Sequence, residues 1–93
     1  NSWSSVAPIL LGRFSTTVTL LPSGQVLVAG GYNGAPHTET ELYAPDTNTW
    51  SLAVPMATAR VTHTATRLLS GRVLLAGGYN SSGLPTAAEI YTP

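Results

Sequence analysis

The sequence predicts an all-β chain made of two consecutive four-stranded antiparallel units. Three observations carry this. The chain lies on itself when shifted by 47 residues. Its apolar segments are short, rich in β-branched residues and closed by turns bearing Gly or Pro. No stretch places apolar residues at helical spacing, and Pro and Gly recur too often for a helix.

The repeat comes first, because a period of this length decides the architecture. Asn1, Trp3, Pro8 and Arg13 fall on Asn48, Trp50, Pro55 and Arg60, and the segment from Ser23 to Asn33 falls on Ser70 to Asn80. The shift then becomes 48, so that Glu41-Leu42-Tyr43-Ala44-Pro45 meets Glu89-Ile90-Tyr91-Thr92-Pro93. The extra residue sits in Ser81-Ser82-Gly83, a polar loop where an insertion costs little. The repeat units are therefore residues 1–47 and 48–93.

Each unit reads as four strands. Phe14 to Leu21 is β-branched, and Pro22-Ser23-Gly24 turns it into the next strand. Gln25 to Ala29 is almost wholly apolar, as in a strand covered on both faces. The third strand runs from Glu39 to Tyr43, and the turn Ala44-Pro45-Asp46-Thr47-Asn48 leads to the fourth, Thr49 to Ala53, with Pro55 breaking the ladder. The second unit repeats this from Arg60 to Tyr91. Ser15, Thr17 and Thr19 put small hydroxyls on one face of the first strand, matched by Thr62, Thr64 and Thr66. An exposed-face strand would alternate apolar and polar, so these read as strands converging on a crowded central axis.

Composition removes whole classes of function. There is no cysteine, hence no disulfide framework, thiolate metal site or thiol nucleophile. Four arginines balance four acids, leaving no basic surface to displace counterions from a nucleic acid. No apolar run approaches the roughly 18 residues of a membrane helix, and no targeting segment is visible. Charged residues are only 9% of the chain, against about 25% in ordinary domains. That low charge, the absence of lysine and the many Thr and Ser residues favour an extracellular origin.

A four-stranded unit with this period is the mark of a β-propeller blade. The glycine pairs, with a Tyr and a Trp at fixed distances beyond, resemble the kelch repeat. Gly30, Gly31, Tyr43 and Trp50 form one set, and Gly77, Gly78 and Tyr91 the second, whose Trp position lies past the C-terminus. The phrases Ala57-Thr58-Ala59-Arg60 and Val26-Leu27-Val28-Ala29-Gly30-Gly31 look most like bacterial and galactose-oxidase-type kelch domains. The resemblance implies two kelch-type blades per chain, with the aromatic residues packing between blades. It also implies ring closure by a lent terminal strand. Asn1 to Val6, with Trp3, reads as a fourth strand without a blade of its own, and the last blade lacks its outer strand. The expectation is a homo-oligomeric propeller in which one copy's N-terminal strand completes another's last blade. Two blades per chain permit four, six or eight, and the six-bladed trimer is favoured over a dimer or tetramer. The alternative is an excerpt of a longer propeller. Glu41 is expected to pair with Arg60 within the chain, and Glu89 with Arg13 of the next.

The candidate sites are few. Tyr32, Asn33, Tyr79 and Asn80 follow the glycine pairs, where rings and amides suit a glycan or peptide at the rim, although Gly-Tyr-Asn is also a good turn. His37 lies in the long loop and has no counterpart, since Pro85 stands there. His63 aligns with Thr16 and reads as structural rather than as a metal ligand. Arg67 and Arg72 flank a turn, facing solvent. Asn80-Ser81-Ser82 matches a glycosylation sequon, a short and frequent pattern. Without cysteine, the cysteine-linked tyrosine of a galactose-oxidase copper site cannot form. No catalytic residues, metal or cofactor are expected. The function read from the sequence is a self-assembling structural or interaction module; the alternative is a carbohydrate- or peptide-binding part of a secreted galactose-oxidase-like protein.

Overall fold

The computed structural model describes all 93 residues. Seven strands form two antiparallel sheets: β1 (Thr17–Leu20), β2 (Val26–Ala29), β3 (Thr40–Ala44) and β4 (Thr49–Leu52) in one, and β5 (Thr64–Arg67), β6 (Val73–Ala76) and β7 (Glu89–Tyr91) in the other. Strand order follows chain order in both sheets, β1-β2-β3-β4 and β5-β6-β7. The sheets therefore span 17–52 and 64–91, whereas the sequence unit breaks just before β4.

The turns show how literally the units repeat. Leu21 N–H donates to the Gln25 carbonyl at 2.8 Å and Gly24 N–H to Leu21 at 3.0 Å; 47 residues on, Leu68 bonds Arg72 at 2.8 Å and Gly71 bonds Leu68 at 2.9 Å. The same Pro/Ser/Gly or Ser/Gly chemistry gives the same turn.

The first strand of each unit is shorter than its composition suggests. Phe14 makes only an isolated bridge to Tyr32, and Val61 one to Tyr79. Ser15 (φ 56°) and Thr62 (φ 55°) then take left-handed backbone. That conformation is costly for a β-branched residue, and here it redirects the chain from the bridge into β1 and β5.

The sheets pack face to face. Leu21, Leu27, Ala29 and Met56 meet Val73 and Leu75, with Leu42, Ala65 and Tyr91 against them. Only 15 of 93 residues are buried; their apolar cluster is this joint, and on the outward face of the first sheet Val28 and Glu41 are covered while Val18 and Leu20 stay exposed. The serine and threonine row lies on the joint side of β1: Thr17 Oγ1 reaches His63 of the second unit at 2.9 Å. In the second unit the matching Thr64 is exposed and its hydroxyl donates to the Ala76 carbonyl of its own sheet at 3.3 Å.

Residues 1–9 form no strand in the single chain. Asn1 to Val6 was expected to be one. A strand exists only through its ladder partner, and this segment has none here; Trp3 is 101% exposed.

Candidate functional site

A clamp that occurs in both units seats a linker on its sheet; the one on Glu89 shares the joint face with Leu75, and the one on Glu41 lies on the opposite face of the first sheet, with Val28. The linker before each sheet crosses over a carboxylate from the third strand of that same sheet. Leu10 and Leu11 N–H donate to Glu41 Oε1 and Oε2 at 2.8 and 3.3 Å. Ala57 and Thr58 N–H donate to Glu89 Oε1 and Oε2 at 2.7 and 3.1 Å. An arginine completes each clamp. Arg13 donates to the Gly30 and Glu39 carbonyls at 2.9 and 2.6 Å and to Glu41 Oε2 at 2.9 Å. Arg60 donates to the Gly77 carbonyl at 3.1 Å and to the Ala87 carbonyl, and lies 3.5 Å from Glu89.

This corrects the expected pairing. Glu41 meets Arg13, not Arg60, and Glu89 meets Arg60 of its own chain. Each guanidinium is anchored on carbonyls of the sheet it precedes, so only that sheet's glutamate is within reach. The signal was present in the spacing, 28 residues from Arg13 to Glu41 and 29 from Arg60 to Glu89, the difference being the one residue inserted at Ser81-Ser82-Gly83. Arg13 and Glu41 side chains are both fully buried, whereas Glu89 is 22% exposed. Charge-assisted bonds in such a setting orient the linker strongly.

His63 is buried at the joint beside Gly30, sharing a hydrogen bond of 2.9 Å between Nε2 and Thr17 Oγ1. Burial and the nearby Arg60 charge push its pKa below the ordinary 6.5. The unfolded chain therefore takes up a proton at a higher pH than the folded one. Stability is expected to be full above about pH 6.5 and to fall as pH drops through the folded value. Thermal melts across that range should lose this dependence in His63→Thr, which restores the residue of the first unit at this place; an unchanged slope would assign it to another group.

The outer edge of the first sheet shows what the second lacks. Tyr43 stands directly opposite Trp50, with ring centroids 5.0 Å apart. Trp50 Nε1 donates to the Ala7 carbonyl at 2.8 Å. Asn48 Oδ1 accepts from Ala7 N–H at 2.9 Å and from the Tyr43 hydroxyl at 2.8 Å. In the second unit Tyr91 has no such partner, β7 pairs only with β6, and its other edge is free. A groove beside it is lined by Met56, Val54, Pro55, Ile90 and Tyr91.

At the rim, the predicted ligand candidates have structural partners. Asn33 Nδ2 donates to the Gly12 carbonyl at 2.7 Å and Asn80 Nδ2 to Ala59 at 3.0 Å, each tying its turn to the linker. Tyr32 packs on Phe14 at 5.4 Å. His37 Nδ1 lies 2.9 Å from Glu39 Oε2. Tyr79 is 45% exposed. Arg67 is exposed but crosses to the first unit, donating to the Leu20 carbonyl at 3.2 Å; Arg72 Nε bonds Ser70 Oγ at 3.2 Å. The structure does not bring the rim residues into one pocket.

Residues 17–57 match the family model of the kelch motif. The match covers the first sheet and the start of the linker, and the internal repeat extends the same pattern over the second. No curated protein matches the chain.

Proposed function

This chain carries a kelch repeat, and on that premise we propose that it is an interaction module, a two-blade unit that closes into a β-propeller by assembling with further copies and has no chemistry of its own. Propellers have roughly four to eight blades. Two-blade chains joined to themselves give even rings, of which three chains and six blades is the favoured form. The observation that carries the reading is the unpaired outer edge of β7, taken with an N-terminal segment whose sequence matches the strand that pairs at that place in the first sheet. Asn1 and Trp3 stand 47 residues before Asn48 and Trp50, the residues that complete the first sheet. Transposing the first sheet's pairing sets Trp3 of one copy opposite Tyr91 of another, with the indole aimed at the Val54 carbonyl.

Light scattering after size exclusion tests this. A mass of about 29 kDa, three times the 9.7 kDa chain, is the expected result, with a fall to the monomer when residues 1–6 are removed. A full-length chain that stays monomeric overturns the reading. The second reading is a glycan- or peptide-binding part of a secreted protein, favoured by the open Tyr79 ring at the rim. Binding on a glycan array that Tyr79→Ala abolishes would establish it.

A further inference from the structure

Resting on the ring reading above, we infer that the chain carries two complementary, differently built faces that join copies head to tail: β1 and β2 of one copy against β6 and β7 of the next. The chain's own joint is the template. There, Leu27, Ala29 and Leu42 of the first sheet are covered by the second. Their counterparts one repeat on are Leu74, Ala76 and Ile90. These lie on the face of the second sheet turned away from the joint, where Leu74 and Ala76 are partly buried and Ile90 is 47% exposed. Gly30 is closed in by Arg60 and His63, while its counterpart Gly77 has nothing within 4 Å.

The opposite end of the molecule supplies the matching surface. Val18 pairs with Val28, and Leu20 with Val26, on the face of the first sheet turned away from the joint. Val18 is 67% exposed and Leu20 58%. At the equivalent places the second unit has Ala65 and Arg67, and that unit's face is the covered one. The apolar side chains are thus larger on the face that the single chain leaves open, the reverse of what a solvated face selects. A second copy presenting Val18 and Leu20 to Leu74, Ala76 and Ile90 reproduces the internal joint with more apolar contact. The two faces differ, so the contact is heterologous and propagates to a ring. The same docking brings the N-terminal segment of the incoming copy beside the free edge of β7.

The test uses two variants of the full chain. Leu20→Glu blocks one face and Ile90→Glu blocks the other. Each alone is expected to run as a monomer, with far-ultraviolet circular dichroism unchanged. Mixed, they retain one intact pair of faces and should form a heterodimer of about 19 kDa, twice the 9.7 kDa chain. Wild-type mass in either variant alone, or a mixture that stays monomeric while the wild type assembles, overturns the face assignment and leaves the ring standing. A monomeric wild type overturns the ring itself.

Discussion

Glu41→Ala is expected to cost the chain about 3–5 kcal/mol, the usual penalty for removing one member of a buried pair. Domains of this kind hold about 5–15 kcal/mol in total, so the variant should be largely unfolded at a urea concentration that leaves the wild type intact. The loss has three parts. Arg13 is left fully buried without its counter-charge. The Leu10 and Leu11 amides lose their acceptor. The linker they belong to loses its seat on the sheet. Glu89→Ala should cost clearly less, since that carboxylate is partly solvated and its arginine stands farther off at 3.5 Å. Equal losses in the two variants would mean that burial of the pair does not set the effect. The double variant Arg13→Met with Glu41→Leu should recover part of the stability, because no charge is then stranded.

Gly30→Ala is the second large effect, expected at about 3 kcal/mol. Gly30 has φ +68°, and a Cβ there would lie 2.7 Å from the Arg60 carbonyl oxygen and 2.8 Å from His63 Cε1. A flexible side chain can yield; a backbone carbonyl at the joint cannot. Gly77 provides the control within the same chain. Its φ is +76° but in the single chain the space is open, so Gly77→Ala, made in the monomeric Ile90→Glu chain, should show the backbone strain alone, about 1 kcal/mol. Urea titrations of the two glycine variants, each against its parent chain, measure the difference. If they lose the same amount, the close approach at the joint carries no energy.

The strands were legible because their causes are local. A β-branched run such as Thr17 to Leu20, or an apolar one such as Val26 to Ala29, between glycine-bearing turns needs no distant partner to be recognised. The repeat made the second unit legible from the first. What depends on distant backbone was not. Thr62 is held in left-handed conformation, which nothing in its own chemistry favours; the pull comes from the Val61–Tyr79 bridge on one side and β5 on the other. Arg13, Glu41, Arg60 and Glu89 were identified as the charges that matter, but their partners were exchanged. The partner is set by the carbonyls of Gly30, Glu39, Gly77 and Ala87, whose direction no residue type reveals. The bond from His63 to Thr17 was not legible either, because it depends on how two sheets stack. Asn33 and Asn80 looked free in sequence because their partners, the Gly12 and Ala59 carbonyls, lie 21 residues away on the linker.

Strand order that follows chain order has a kinetic consequence. Every ladder in the molecule joins neighbours in sequence, so each closes a short loop and pays little entropy before it gains contacts. The first sheet can zip from its turns outward while later residues are still emerging from the ribosome. The clamp on Glu41 closes over only 30 and 31 residues and lies wholly N-terminal to the second sheet. The second sheet then condenses on a surface already in place. Refolding of the single chain should be fast and independent of concentration, and any slow phase that accelerates as the protein is made more concentrated marks the meeting of copies.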